Sequence, residues 1–195
     1  QIADIRDRYY GRVECSAEHP GSYALCDGVA LYCAMMVERF AHLRGISFPA
    51  VIDCSSGAAA VVVPRLIAQL ELRDITCINS TVDGAFPAHK PDPTVRANMD
   101  QCAQLVRERK ALCGFGFDGD ADRMAVLSAD GRLMTGDELL VFFAESSTCT
   151  KGPVIADLKC SDILLDYLRA QGTHVVRSAS GHSIIRAALA REKGM

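Results

Sequence analysis

The run Phe115-Gly116-Phe117-Asp118-Gly119-Asp120-Ala121-Asp122-Arg123 joins a strand-like apolar stretch to three carboxylates on alternate positions, with only Gly and Ala between them. Alternate side chains of an extended segment point the same way, so Asp118, Asp120 and Asp122 converge if the loop curls, and Gly119 and Ala121 leave room for the curl. Carboxylates held that close repel one another, and a hard divalent cation bound through oxygen relieves the repulsion. An EF-hand also opens on alternating acidic residues, but counted from Asp118 its required Gly and bidentate Glu positions hold Arg123 and Ala129. Strand-like Met124-Ala125-Val126-Leu127 follows where the exiting helix of an EF-hand should begin. The bland alternative is an acidic turn that solubilises a strand end. Apolar runs on both sides weigh against it, as does Arg123, a fixed guanidinium suited to phosphate oxygens.

Outward from this loop, strand, loop and helix alternate from about Phe48. Strand Ala50-Val51-Ile52-Asp53 leads into Cys54-Ser55-Ser56-Gly57 and a helix over residues 58–70, in which Pro64 predicts a bend or a late start. Strand Ile75-Thr76-Cys77-Ile78 precedes a loop over residues 82–93, which Pro87, Pro91 and Pro93 keep extended. Thr94 is the expected cap of a helix over residues 95–110, with Met99, Cys102, Leu105 and Val106 on one apolar face, and a strand over 112–117 then delivers the acidic loop. This order predicts an α/β fold with a mixed, mostly parallel sheet flanked by helices. Ligands of open parallel sheets collect beyond the carboxyl ends of the strands, where the acidic loop and the loop after Asp53 both stand.

After strand 124–128, Asp130-Gly131 suits a tight hairpin into Arg132-Leu133-Met134. A helix over residues 137–145, strand Val154-Ile155-Ala156-Asp157, a helix over 161–170, strand His174-Val175-Val176 and a last helix opening at Gly181 or His182 complete the pattern. A boundary near Arg132 divides the chain into a metal-loop domain, residues 1–132, and a partial second α/β domain, residues 133–195, too short to complete a sheet. Before Phe48 the pattern gives a helix over residues 2–13, a Glu18-His19-Pro20-Gly21 turn and an apolar helix over 29–43, whose Cys33, Met35, Met36 and Phe40 are expected in the core.

At 195 residues and 49% hydrophobic, the chain is expected to be a folded, soluble protein. A net charge of −3 with scattered Lys and Arg argues against nucleic acid as a partner. No apolar run approaches the roughly 20 residues of a membrane span, and the first residues lack a secretory pattern, so a cytoplasmic location is expected. Nine cysteines, odd in number and without a C-x-x-C pair, suggest neither zinc nor a disulfide frame, and a reducing compartment keeps such thiols free. His19, His42 and His174 lack acidic or cysteine partners at ligand spacing, and His89, in the proline-rich loop, reads as structural. Opening at Gln1 and closing on Lys193-Gly194-Met195 straight after a helical pattern, the chain reads as a piece of something longer.

Five ordered segments then coincide. Val51 to Gly57, Val82-Asp83-Gly84-Ala85-Phe86-Pro87 with His89, Pro91, Asp92 and Pro93, the loop from Asp118 to Arg123, Asp157-Leu158-Lys159-Cys160-Ser161, and Ser180-Gly181-His182-Ser183 together resemble the α-D-phosphohexomutases, the phosphomannomutase and phosphoglucomutase enzymes. The resemblance implies that a phosphoserine on a first domain exchanges its phosphoryl group with the 1- or 6-position of a hexose phosphate, a bisphosphorylated sugar turning around midway. It implies Mg²⁺ at Asp118, Asp120 and Asp122, with Arg123 and Lys159 on phosphate oxygens. Lys159 and His182 are the implied acid or base groups, and Ser180 and Gly181 the implied substrate contacts. Bland readings stand beside these: Lys159 as a surface lysine, and His182 as a helix opener between the capping types Ser180 and Ser183.

The chain also departs from the pattern. It has no T-A-S-H-N-P segment, stops before a G-E-x-S-G-H loop, lacks the phosphate-binding fourth domain, carries a longer connection over residues 14–47, and has Ser180 where the similar bacterial branch has Thr. The missing first and fourth domains are therefore its expected partners, and it is expected to be inactive alone. Two other readings remain at this point: a non-catalytic Rossmann-like module that binds a metal or a phosphosugar, and a phosphatase with Asp118 as nucleophile. The absence of G-x-G-x-x-G and G-x-x-x-x-G-K-[ST] argues against a nucleotide.

Overall fold

The computed structural model describes residues 2–11, 21–146 and 152–194. Helices α1 (Ile2–Tyr10) and α2 (Gly28–Arg39) precede the first sheet, whose strands are β1 (Ser47–Asp53), β2 (Arg73–Ile78), β3 (Cys113–Phe117) and β4 (Met124–Ser128). Their order is β2-β1-β3-β4, with β1 parallel to both β2 and β3, and β4 antiparallel to β3. Helix α3 (Ala59–Gln69) connects β1 to β2, and α4 (Asp100–Glu108) connects β2 to β3.

Neighbouring residues of β1 face opposite sides of the sheet, and this fixes where the helices lie. Val51, without exposure, packs with Met99, Cys102, Val106 and Leu127 under α4, whereas Ile52 packs with Cys54, Ala59, Ala60 and Val63 under α3. Two glycines in β3 let α4 and the turn before it approach: a Cβ on Gly114 would press on Val106, Cys102 and Leu127, and one on Gly116 would collide with Met99. This packing leaves both strand ends that carry acidic residues, Asp53 and Asp118, at the same edge of the sheet.

Beyond β4, α5 (Gly136–Ser146) leads to a second, two-stranded parallel sheet of β5 (Val154–Asp157) and β6 (Val175–Ser178), with α6 (Asp162–Ala170) between them and α7 (His182–Glu192) after them. Ala144, Val154, Ala156, Leu165, Leu168 and Val175 form its own apolar cluster. The mixed α/β architecture is thus as the sequence predicts, two-stranded second sheet included.

Several local expectations need correcting. The helix expected over residues 95–110 is a 3₁₀ turn, Arg96–Met99, followed by α4, and Thr94 does not cap it: Asp92 Oδ1 accepts from the Thr94 amide (3.1 Å) and hydroxyl (2.7 Å), which turns the chain first. Helix α3 starts at Ala59 and runs through Pro64, so the proline marks no late start. The helix expected over 29–43 ends at Arg39 and gives way to a 3₁₀ turn, Ala41–Leu43. Of its four expected core residues Cys33 is buried and Met36 and Phe40 are half-buried, but Met35 is exposed, because α2 meets α3 along one side. The turn at Asp130-Gly131 forms, with Gly131 at φ 78° and its amide donating to Ser128 O, but the returning arm makes just the Leu127 to Leu133 bridge. Residues 12 and 13 of the first expected helix, most of the Glu18-His19-Pro20-Gly21 turn, Cys15 and Cys149 lie outside the described residues. No helix among the described residues is long and apolar enough to cross a membrane.

Candidate metal centre

The antiparallel register that pairs Phe117 with Met124 leaves a six-residue loop, residues 118–123, between β3 and β4. It closes on itself: the Asp118 amide donates to Arg123 O (3.2 Å), and the Ala121 amide to Asp118 O (3.2 Å), with Ala121 in left-handed backbone at φ 62°. Asp118 is fully buried, and both its oxygens are engaged by one residue. Oδ1 accepts from the Arg123 amide (3.0 Å) and Oδ2 from Arg123 Nε (2.7 Å). Asp120 and Asp122 are exposed, and one oxygen from each of the three aspartates lies within 4.8 Å of the other two.

That set fits a hard cation. Its donors are all carboxylate oxygens, the ligands Mg²⁺ prefers, and all three stand close enough for one ion to draw them together. The electrostatics agree. Burial alone would push the Asp118 carboxyl up, but the Arg123 amide and guanidinium outweigh it and hold it below the usual carboxylate range. Asp122 moves the other way, raised chiefly by the charge of Asp120 beside it. Two carboxylates crowded enough to raise a pKa are the arrangement that a cation stabilises.

The loop after β1 braces this one from the side. Ser55 Oγ donates to Phe117 O (2.6 Å), one residue before Asp118, and the Ala58 amide donates to Gly119 O (2.9 Å). The backbones approach so closely that a Cβ on Gly57 would collide with the Gly119 carbonyl. Asp53, without exposure, holds the bracing loop: its Oδ1 accepts from the Ser55 amide (2.8 Å) and Asn79 Nδ2 (2.9 Å), and its Oδ2 faces His89 Nε2 (2.9 Å). His89 is therefore built into the fold. Sequence reasoning passed over Asp53 and Ser55 as site residues; the available signal was an acidic residue closing the apolar run of a central strand.

The remaining predicted residues gather at the carboxyl end of the second sheet. Asp157 Oδ1 accepts from the Lys159 amide (2.8 Å) and from Ser180 Oγ (2.6 Å), and these bonds, that from Ser180 foremost, hold its carboxyl below the usual range. Gly181 takes φ 136°, a conformation that favours glycine, and stands at the N-terminus of α7, so His182 opens the helix. Lys159, Ser180, Gly181 and His182 are all exposed. The structure thus brings the three aspartates together with Arg123, and joins the Lys159 amide and Ser180 through Asp157, with His182 two residues beyond Ser180 at the start of α7. Among the described residues no hydrogen bond or ion pair joins the two groups.

Comparison with known proteins gives this arrangement its context. Residues 30–131, which contain the whole first sheet and the aspartate loop, match the family model described as phosphoglucomutase/phosphomannomutase, alpha/beta/alpha domain II. The chain belongs to the phosphoglucomutase/phosphomannomutase family. It is 37% identical over 141 residues to the phosphomannomutase/phosphoglucomutase of Pseudomonas putida, covering 70% of this chain and 30% of that protein. It is 31% identical over 177 residues to the phosphoglucomutase of Neisseria gonorrhoeae, covering 89% of this chain and 38% of that one. A crystal structure of a phosphoglucomutase/phosphomannomutase family protein from Burkholderia thailandensis superposes on all of it with a TM-score of 0.84 at 29% identity, covering 42% of that chain. This family member therefore spans well under half the length of the relatives it matches.

Proposed function

We propose that this chain is the metal-bearing middle portion of a phosphohexomutase that interconverts hexose 1-phosphate and hexose 6-phosphate in the cytoplasm, through an enzyme phosphoserine and a bisphosphorylated sugar. The observation that carries the reading is the convergence of Asp118, Asp120 and Asp122 on a loop inside the segment that matches the family. Mg²⁺ held by these three carboxylates would neutralise charge on a transferring phosphoryl group. Arg123 gives its Nε to Asp118, and its terminal amino groups, on a side chain 59% exposed, are the ones to meet phosphate oxygens. Lys159 and His182, exposed at the end of β5 and the start of α7, are the groups to hold sugar phosphate and to move a proton on the sugar hydroxyl, with Ser180 and Gly181 lining their approach. We place the join of two domains, residues 1–132 and 133–195, near Arg132, in line with the separate apolar clusters of the two sheets, with Leu133 just past the join still packed on the first.

The test is ion binding by the chain as it stands. Mn²⁺, titrated against the free-ion paramagnetic resonance signal, should bind the native chain and not Asp120→Asn, and Mg²⁺ should compete it off. Equal binding by both would refute the metal assignment. Calorimetry should show hexose phosphates preferred over nucleotides; the reverse preference would remove the mutase reading in favour of a nucleotide-binding module.

A further inference from the structure

Asp53 and His89 lie outside the aspartate loop, yet their hydrogen bonds lead to it through residues 54–58. Asp53 Oδ1 accepts from the Ser55 amide and Asn79 Nδ2, and Oδ2 faces His89 Nε2 at 2.9 Å. The other ring nitrogen, Nδ1, faces Lys90 O at 2.9 Å. A carbonyl oxygen can only accept, so Nδ1 carries a proton, and the contact between Nε2 and Oδ2 needs a second. With two protons the pair is neutral as a unit, which is the form that burial favours: Asp53 has no exposure and His89 little.

This neutral pair ties three segments together. Asn79 brings in the end of β2, His89 the proline-rich loop, and the Ser55 amide the loop after β1. Ser55 and Ser56 adopt left-handed backbone at φ 48° and 53°, a conformation that persists where surrounding bonds determine it. From that loop two bonds reach across to the aspartate loop, Ser55 Oγ to Phe117 O and the Ala58 amide to Gly119 O.

We propose that Asp53 and His89 are positioning residues for the aspartate loop, acting through residues 54–58 on the backbone at Phe117 and Gly119. The consequence for ion binding rests on the metal reading above; the consequence for the loop itself does not. The test therefore uses two readouts on the intact chain, hydrogen exchange of the Ala58 amide without added metal, and Mn²⁺ affinity by paramagnetic resonance. In His89→Ala the Ala58 amide should exchange about tenfold faster or more while the amides of β5 and β6 are unchanged, and Mn²⁺ should bind about tenfold more weakly. His89→Gln keeps an N–H aimed at Asp53 Oδ2 and should bring both values back to within about threefold of native. If His89→Ala does not fold, His89→Asn, whose shorter amide falls short of Asp53, takes its place with the same expected outcomes. Native Ala58 exchange in the folded variant would overturn the proposal, as would failure of Gln to rescue. Should the native chain bind Mn²⁺ no better than Asp120→Asn, the metal reading falls and the exchange measurement alone decides this one.

Discussion

Asp118 is pulled in opposite directions, since burial disfavours its charge while Arg123 supplies both an amide and a guanidinium to stabilise it. The second influence wins, so its folded pKa lies below that of the unfolded chain, about 3.9 for an aspartate. The stabilisation is then complete above that unfolded value and is lost as pH falls through the folded one, where protonation breaks the pairing. Urea midpoints measured from pH 6 downward should fall below about pH 4 in the native chain, and less steeply in Asp118→Asn, which has no charge to lose. Asp122 acts in the opposite sense: its pKa is raised by Asp120, so protons compete with an ion at a pH above its ordinary 3.8, and Mn²⁺ affinity should decline on acidification before Asp118 itself titrates. At this scale the trio was legible because alternate spacing is a local property of sequence. The braces were not: His89 and Asp53 are 36 positions apart, Ser55 and Phe117 are 62, and no periodicity within either segment announces the other.

The apolar face was read correctly where hydrophobic period held, since Met99 in the 3₁₀ turn and Cys102 and Val106 in α4 are buried together as their spacing implies. Element ends were misread where a side chain intervened, as Asp92 does by taking the hydroxyl and amide of the expected cap, Thr94. Two substitutions probe how tightly the elements fit. Met99→Ala, at a position 1% exposed under Val51 and Leu127, should cost about 2–5 kcal/mol of unfolding free energy by urea denaturation. Gly57→Ala places a Cβ against the Gly119 carbonyl and should cost about 1–3 kcal/mol, while also displacing the aspartate loop and weakening Mn²⁺ binding. Native affinity in a folded Gly57→Ala chain would mean that the two loops are not mechanically linked.

For the whole molecule, the incomplete second sheet was legible from the count of strand patterns after Arg132, and so was the place of α5 on the far side of that boundary. Its Leu140, Val141 and Ala144 join the cluster of Leu165 and Leu168, and Asp137 accepts from the Ser161 amide at the start of α6, so α5 belongs with the second sheet although it directly follows the arm that pairs with β4. The first sheet's clusters draw on none of these residues. If the division near Arg132 is real, damage to one core should stay there. Leu165→Ala, at a fully buried position, removes about 2–5 kcal/mol from the second cluster. Hydrogen exchange should then quicken across β5 and β6 and leave the amides of β1 and β3 as slow as before, since subglobal opening follows the cooperative unit that has lost its contacts. Equal acceleration in both sheets would show that a common core spans them and that the boundary is misplaced.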